Sequence, residues 1–135
     1  MAFIPVEGYE GKNRQVRAAN STAFTKGDAC VDDGTGYITT GTSSSQNVPY
    51  VAMETVTTTS AGELVNVILT EGVIFEADTD AAVAQTDVGT LCDLFDKDQL
   101  NPDASTHDVF EIIEIVGAAG TATKVRGKFR MQSDA

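Results

Sequence analysis

The chain has 135 residues, a formal net charge of −11, 41% apolar residues and no tryptophan. A chain of this length forms a single domain with a substantial core, and its composition is globular rather than disordered. No run of about 18 apolar residues occurs, which excludes a membrane-spanning helix. The strong acidity disfavours direct binding of nucleic acid. We therefore expect neither a membrane nor nucleic acid among its partners.

The positive charges are concentrated near the two ends of the chain. Residues 27–123 hold 17 of the 20 acidic residues but only one base, Lys97. The remaining bases are Lys12, Arg14, Arg17, Lys26, Lys124, Arg126, Lys128 and Arg130. The two basic ends are therefore the places where an acidic neighbour could dock.

Residues 1–15 are predicted to form an extended N-terminal arm. Pro5, Gly8 and Gly11 interrupt this segment, and no hydrophobic period holds within it. Its bulky apolar residues are Phe3, Ile4, Val6 and Tyr9. We expect them to become ordered only against a partner, so that the rest of the chain folds without residues 2–12.

The chain after the arm predicts short strands separated by turns. Asp33-Gly34 lies between two strand-like segments, which is typical of a hairpin, and GTSSSQN at 41–47 is a polar loop. In ELVNVILTEGVIFEAD, at 63–78, two alternating apolar runs flank Glu71-Gly72. This arrangement indicates either a tight hairpin or a glycine bulge in one bent strand. DTDAAVAQTD, at 78–87, could hold one short helical turn.

The last third of the chain contains one polar segment and two strongly patterned strands. Residues 96–108, DKDQLNPDASTHD, are predicted to form a polar loop. VFEIIEIVG, at 109–117, predicts a half-buried strand that changes face near its end. In TKVRGKFRM, at 123–131, alternation places the apolar side chains on the core and four bases on the other face: Lys124, Arg126, Lys128 and Arg130. Four like charges in one row need acidic groups opposite, from the acidic body or from a partner.

These elements amount to roughly eight or nine short strands and no helix of three turns. The predicted fold class is therefore all-β, either a small barrel or a sandwich. We assign residues 16–135 to one all-β domain, which follows the extended arm at 1–15 and carries the polar loop at 96–108.

No motif predicts catalysis, a cofactor or a metal site. His107 stands in the polar loop, outside the residue patterns of a hydrolase triad or a zinc site. The acidic residues at 93–103 lack the glycine and the glutamate of a calcium-binding loop. Cys30 and Cys92 match no metal or redox spacing and are predicted to be small buried apolar residues. We therefore expect a non-enzymatic structural or binding role.

Five segments, in order along the chain, resemble a known family. They are FTKGDACV, GYITTGT, VPYVAMETV, SAGELVNVILTEGVIFEADTDAAVAQTDVGTLCDL and GTATKVRGKFR. Over residues 22–130 the chain resembles the small head decoration, or capsid cement, proteins of tailed bacteriophages, of the lambda-type β-tulip group. The shared pattern is a Lys-Gly-Asp opening strand, an Ala-Gly-x-Leu-Val-x-Val strand and a closing strand. The resemblance implies a β-tulip-like fold for the domain that follows the extended N-terminal arm.

The resemblance also implies a structural virion protein. Such a protein would bind the major capsid protein on the outer surface of the capsid, form a homotrimer, and resist the pressure of packaged DNA through many avid contacts. It would be made in the host bacterial cytoplasm, in keeping with the lack of a secretory signal in MAFIPVEGYEGKNR. We predict that the capsid or neighbouring subunits are contacted by Phe3, Ile4, Val6, Tyr9, Lys12, Arg14, Lys124, Arg126, Lys128 and Arg130.

Two functions of other classes are kept as alternatives. The first is a virion-surface or tail-associated adhesin that binds host carbohydrate, although the lack of tryptophan weakens it. The second is a trimeric β-barrel enzyme with an active site between subunits. An adhesin predicts glycan binding by the isolated protein, whereas a decoration protein predicts binding to expanded capsids.

Overall fold

The computed structural model describes residues 3–130, and within them the chain is almost entirely strand and turn. The one helical element there is a single 3₁₀ turn at Gln85–Asp87, inside the segment predicted to hold a helical turn. The strands are β1 (Ile4–Glu7), β2 (Asn13–Ala18), β3 (Ala23–Phe24), β4 (Ala29–Asp32), β5 (Ile38–Thr40), β6 (Tyr50–Ala52), β7 (Val56–Thr57), β8 (Glu63–Leu69), β9 (Ile74–Asp78), β10 (Leu91–Asp96), β11 (Gln99–Asn101), β12 (Phe110–Ile115) and β13 (Lys124–Phe129). The predicted all-β fold is confirmed.

Five strands form a closed barrel in the order β2-β5-β4-β6-β8, which we call the first barrel. Its pairs are antiparallel except for β2 and β5, which are parallel and meet at Ala18 and Ile38. Alternate residues of these strands point inward, and Phe24 of β3 joins them. The buried interior consists of Ala18, Phe24, Cys30, Ile38, Ala52, Val65 and Val67.

The other large sheet has the order β1-β9-β13-β12-β10-β11. It curls until β11 meets the end of β9, because Thr79, directly after β9, forms a parallel bridge with Leu100 of β11. The amide of Asp80 also donates to the carbonyl of Leu100 at 2.9 Å. The strands β9-β13-β12-β10-β11 therefore form a second barrel, and β1 is added outside it on β9.

The second barrel repeats the first strand for strand. The parallel contact of Ala18 with Ile38 matches that of Thr79 with Leu100. The antiparallel registers match as well. The counterpart of a residue in the second barrel is found by adding 61 to its number in β2, 62 in β4 and β5, and 60 in β6 and β8. The matching pairs include Val16–Val65 and Ala77–Val125, Cys30–Tyr50 and Cys92–Phe110, Asp32–Ile38 and Leu94–Leu100, and Val51–Ile68 and Glu111–Lys128.

Hydrogen bonds outside the strands repeat in the same way. Gly27 donates to the carbonyl of Ala52, and the corresponding Gly89 donates to that of Ile112, both at 2.7 Å. The turn at Glu10-Gly11 is closed by a bond from Lys12 to Tyr9, and the turn at Glu71-Gly72 by one from Val73 to Thr70. Gly11 and Gly72 both have φ of 75°, the left-handed conformation that glycine tolerates. The domain is thus an internal duplication.

Glu71-Gly72 is neither of the two expected features. The strands on either side of it, β8 and β9, lie in different barrels and do not pair with each other. The alternating pattern identified two good strands, but it contained no information about which neighbour each would choose. The turn at 70–73 carries the chain from the first barrel to the second.

The prediction of a separate N-terminal arm is wrong for the described residues. Phe3 is 1% exposed, its amide donates to Gly27 at 2.9 Å, and its ring centroid lies 4.9 Å from that of Phe129 and 6.0 Å from that of Phe110. β1 pairs with β9, and residues 13–15 already belong to β2. The irregular pattern hid a short strand because Pro5 and a register shift at Pro5–Glu7 interrupt the alternation.

The predicted polar loop at 96–108 is also corrected. It begins with the end of β10 and contains β11, whose Leu100 is completely buried. Its second half is held down by the buried carboxylate of Asp93. That carboxylate accepts hydrogen bonds from the backbone amides of Thr106 at 3.1 Å, His107 at 2.7 Å and Asp108 at 2.9 Å.

Three local predictions are confirmed. Asp33-Gly34 turns the antiparallel hairpin of β4 and β5, with the amide of Asp33 donating to Tyr37. The register of β12 against β13 shifts between Ile112 and Glu114, which is the predicted change of face. Cys30 and Cys92 are buried free thiols at equivalent positions of the two barrels. Burial raises the pKa of each to about 12, so neither is a thiolate near neutral pH.

One continuous core joins the two barrels. It contains the interior of the second barrel together with Ala29, Val48, Val51 and Ile68, which point outward from the first. Within residues 3–130 no helix is long and apolar enough to cross a membrane.

Candidate functional site

The last strand has the two faces that its sequence predicts. Val125, Gly127 and Phe129 are buried, and the bases that alternate with them point away from the core. Gly127 is the tightest position, because a Cβ there would lie 2.0 Å from the carbonyl oxygen of Glu111 and 2.6 Å from the ring of Phe110. The strand therefore presents a basic row on the outer face of the second barrel.

Two of these bases are neutralised within the sheet. Lys124 Nζ lies 2.9 Å from Asp78 Oδ1, and Arg126 Nε lies 3.2 Å from Glu76 Oε2. Glu114 approaches Arg126 from the other side, at 3.7 Å. The hydrogen bond to Asp78 raises the pKa of Lys124. Burial alone would raise the pKa of Asp78, but Lys124 holds it below its usual value. Part of the acidic body thus faces the basic row and offsets the repulsion between its like charges.

Lys128 and Arg130 are exposed cations. Lys128 is the cross-strand neighbour of Glu111. Among residues 3–130, neither Lys128 nor Arg130 has a carboxylate within 4.0 Å. These two bases therefore keep their charge available to a partner, whereas Lys124 and Arg126 do not.

The N-terminal residues predicted to make contacts are divided between the core and the surface. Phe3 is in the core, and Val6 is half-buried. Ile4 and Tyr9 are 39% and 42% exposed. Through the register, Ile4 lies in one cross-strand row with Glu76, Arg126 and Glu114 on the outer face of the second barrel. The exposed Ile4 of β1 and the basic row thus share one surface.

Lys12 and Arg14 lie elsewhere, at the end of the first barrel where β2 begins, which we call its mouth. Arg14 Nη1 donates to the carbonyls of Gly11 at 2.9 Å and Asn13 at 2.8 Å. The mouth of the first barrel comprises Lys12, Arg14, Asp32, Tyr50 and Leu69, all exposed or half-buried. The corresponding mouth of the second barrel comprises Val73, Phe75, Leu94, Phe110 and Phe129, all buried.

A solvent-open cleft of about 310 Å³ lies beside the mouth of the first barrel. It is lined by Val31, Asp32, Ser45, Gln46, Asn47 and Pro49. The residue of the second barrel that corresponds to Val31 is Asp93, and there the carboxylate holds the following loop in place. The residues at this position thus serve different purposes in the two barrels.

Within residues 3–130 no group of three or more His, Cys, Asp or Glu side chains is placed to hold a metal ion. Two of the acidic residues of 93–108 stabilise local structure. Asp96 bonds the amide of Lys97, and Asp93 bonds the loop that contains His107.

The duplication was not predicted from the sequence, although its signal is present there. Gly-x-x-Cys occurs at Gly27–Cys30 and again, 62 residues later, at Gly89–Cys92. Glu-Gly occurs at 10–11 and again, 61 residues later, at 71–72. These glycines and cysteines are the positions where the shared backbone leaves little choice of residue.

No protein-family model, curated protein or solved structure matches the chain.

Proposed function

We propose that this protein is a structural virion protein that binds the outer surface of an assembled phage capsid and stabilises it against the pressure of packaged DNA. Its partner is the major capsid protein. The segments that resemble head decoration proteins form β3–β6, the β8–β9 connection, β10 and β13, so the resemblance extends over both barrels. Two barrels with a shared core make a stiff unit, which suits a mechanical role.

The observation that carries the proposal is the composition of the outer face of the second barrel. That face combines exposed apolar side chains, such as Ile4 and Ile113, with the cations Lys128 and Arg130, in a protein of net charge −11. Apolar contact supplies affinity, and the free cations select an acidic neighbour. The capsid contact is therefore assigned to this face together with Tyr9.

A pelleting experiment tests the proposal. Heads assembled without the protein and expanded are incubated with the full chain and sedimented. We expect the wild-type chain to pellet with the heads. Lys128→Glu with Arg130→Glu should lower occupancy at least about tenfold, and more so at low salt, because it reverses the free cations.

The matched control reverses the charge of a cation on the first barrel, away from the assigned face. Arg17→Glu on β2 is such a position, since Arg17 bonds the carbonyl of Gly62 in the first barrel. It should bind heads as the wild type does. Failure of the wild-type chain to pellet with expanded heads would reject the proposed function. Equal loss with Arg17→Glu would reject the assigned face.

The cleft of the first barrel favours one alternative, an adhesin for host carbohydrate. Ser45, Gln46 and Asp32 offer hydroxyl, amide and carboxylate groups over the apolar Val31 and Pro49, a mixture that suits a polyhydroxylated ligand. Binding of the isolated chain to a glycan array, lost in Gln46→Ala, would establish that function instead.

A further inference from the structure

The two barrels differ at one edge of their first strand. In the second barrel the first half of β9 is paired with β13 on one side and with β1 on the other, where Ile4 lies opposite Glu76. Among residues 3–130, the corresponding half of β2, Asn13–Gln15, is paired with β8 alone, because β5 meets β2 only at Ala18. The first barrel therefore has an open strand edge at the place where the second barrel holds β1. We call Asn13–Gln15 the open edge of β2.

The open edge presents backbone groups of exposed residues. The amide of Leu69 on β8 donates to the carbonyl of Lys12 at 3.0 Å. Because the residues that bond to a given neighbour alternate along an antiparallel strand, the N–H and C=O groups of Asn13 and Gln15, both exposed, point away from β8. The guanidinium of Arg14 donates to the carbonyl of Asn13 at 2.8 Å and shields that group. An edge of this kind is a template for an added strand.

An apolar surface lies beside the open edge. On the second barrel Phe3, directly before β1, packs on the rings of Phe110 and Phe129, which are 0% and 5% exposed. The counterparts of these rings on the first barrel are Tyr50 and Leu69, which face each other across the strands as the two rings do. Both are half-buried. The surface that Phe3 covers on one barrel is thus accessible on the other.

The charges around the open edge select what can be added there. On the second barrel Pro5 lies opposite Phe75, and the counterpart of Phe75 on the first barrel is Arg14. Lys12 is at the same end of β2, and among residues 3–130 neither cation has a carboxylate within 4.0 Å. The acid of this mouth, Asp32, already accepts a hydrogen bond from the turn of its own hairpin. An acidic side chain in the position of Pro5 is therefore favoured.

We propose that the open edge of β2 binds an extended segment of another protein as an added antiparallel strand, and that this segment carries a bulky apolar side chain and, two residues later, a carboxylate. This spacing is that of Phe3 and Pro5, which precede and follow the paired Ile4 on the second barrel. β1 shows that the duplicated barrel accepts a strand at this edge. The inference goes beyond the proposed function and does not depend on the capsid contact of the second barrel.

Each part of such a segment has a partner on the first barrel. The apolar side chain lies on Tyr50 and Leu69. The carboxylate accepts from the guanidinium of Arg14, which releases the carbonyl of Asn13 to an amide of the segment. The residue between the two side chains exchanges its backbone hydrogen bonds with Gln15. The main-chain bonds supply affinity, and the two side chains supply selectivity.

Titration with a synthetic peptide tests the proposal. The probe is Gly-Thr-Phe-Val-Glu-Thr-Gly, acetylated, amidated and labelled with fluorescein, and its binding to the full-length chain is followed by fluorescence anisotropy. We expect saturable binding with a Kd below about 1 mM, as suits a short strand with few side-chain contacts. Arg14→Glu should weaken binding at least about tenfold, and a probe with lysine in place of glutamate should restore it on that variant.

The matched control for charge is Lys26→Glu. Lys26 is an exposed cation that precedes β4, at the end of the first barrel away from the mouth. This variant has the same net charge as Arg14→Glu and should bind the probe as the wild type does. Equal weakening by Lys26→Glu would show attraction to overall charge and overturn the proposal, as would a lysine probe that fails to bind Arg14→Glu when circular dichroism shows that variant to be folded.

Methylation of single peptide nitrogens separates strand addition from attachment through side chains. N-methylation of the probe's valine removes the N–H that bonds the carbonyl of Gln15 and should weaken binding at least about tenfold. N-methylation of its glutamate changes an N–H that points away from β2, and this matched probe should bind as the parent does. Equal binding of the two methylated probes would overturn the proposal.

Amide hydrogen exchange locates the bound probe. In the free chain the amide of Gln15 should exchange at least about tenfold faster than that of Glu76, which is paired with β1, and the probe should slow it. Protection of Gln15 in the free chain, or no saturable binding of the probe, would overturn the proposal. Self-association of the chain that the probe reverses would identify a second copy as the occupant and would overturn it as well.

Discussion

The two barrels have the same strand order and the same register, yet their side chains serve different purposes. On the outside of the first barrel Gln15 and Asn66 form an amide pair at 3.1 Å. At the corresponding positions of the second barrel Glu76 and Arg126 form an ion pair at 3.2 Å. The same backbone pairing therefore accommodates either an amide pair or an ion pair. The two barrels share their register but differ in the side chains on their surfaces.

The interiors differ more than the outsides, because the second barrel is filled with aromatic rings. Phe75, Phe110 and Phe129 pack edge to face at its mouth, where the first barrel has Arg14, Tyr50 and Leu69. Gly127 corresponds to Val67 and leaves room for the ring of Phe110. Phe3, together with Ala29, Val51 and Ile68 on the outside of the first barrel, packs against these rings and forms a lid over them.

The largest expected effect comes from removing that lid. Phe3→Ala should lower the free energy of unfolding by about 3–5 kcal/mol, since it truncates a buried ring and leaves a cavity among the others. Deleting residues 2–12 should cost at least as much, contrary to the expectation of an independent arm. Ile4→Ala, on the exposed face of the same strand, should change stability by less than about 1 kcal/mol. Urea denaturation measures all three, and a Phe3→Ala loss as small as that of Ile4→Ala would contradict the packing.

The next effect concerns the loop that the second barrel holds down and the first does not. Asp93→Val, which installs the residue found at the equivalent Val31, should cost about 1.5–3 kcal/mol, because three backbone amides lose a charged acceptor. Amide hydrogen exchange at Thr106, His107 and Asp108 should accelerate at the same time. Asp103→Ala in the same segment is the control and should leave that exchange unchanged. Protection that survives Asp93→Val would show that the loop is held by other contacts.

A pH experiment separates the barrels through two carboxylates of opposite behaviour. Burial raises the pKa of Asp28 in the first barrel, against the opposing effects of the Thr25 amide and Lys97 and with a contribution from Asp98. Lys124 holds the pKa of Asp78 in the second barrel low. A carboxyl whose pKa is raised by folding contributes stability at pH values below its unfolded pKa, and this contribution is lost as the pH rises. A carboxyl whose pKa is lowered by folding contributes stability above its unfolded pKa, and this contribution is lost as the pH falls. Between about pH 3 and about pH 7, the free energy of unfolding of the wild type should therefore fall relative to that of Asp28→Asn. Over the same range it should rise relative to that of Asp78→Asn.

Urea denaturation across this pH range measures both differences. The two asparagine variants control for each other, because other titrating groups are common to both. Differences that move in the same direction for Asp28→Asn and Asp78→Asn would contradict the opposite environments of the two carboxylates.

The smallest effect is expected from exchanging the outer pairs. Glu76→Gln with Arg126→Asn gives the second barrel an amide pair like that of the first, and stability should change by less than about 1 kcal/mol, since partly exposed ion pairs contribute little. The sensitivity of stability to salt should decrease with it. A large loss at high salt as well as low would show that the side chains pack rather than pair.

The local features of this protein follow from its amino-acid sequence. Strict alternation in 123–131 fixed which side chains face the core, because successive residues of a strand point to opposite sides. Asp33-Gly34 predicted a hairpin, and the broken alternation of 109–117 predicted a strand that changes face, which the structure shows as a register shift. The lack of any metal or redox spacing predicted that Cys30 and Cys92 are buried. The capsid function and the contact residues are still predictions, carried by the resemblance and by the exposed charges.

Which strands are neighbours does not follow from the sequence pattern and is known from the folded chain. Two runs of equal quality flank Glu71-Gly72, and nothing local indicates that one belongs to each barrel, since pairing depends on residues far away in the chain. Phe3 was assigned to an arm because its neighbours show no period, yet the aromatic mouth that it fills is built from residues 75–129. Lys124 and Arg126 could not be distinguished from Lys128 by spacing, because the acids that neutralise them come from β9 and β12. Burial and charge pairing are decided by contacts between distant segments, and the sequence pattern records only one side of each contact.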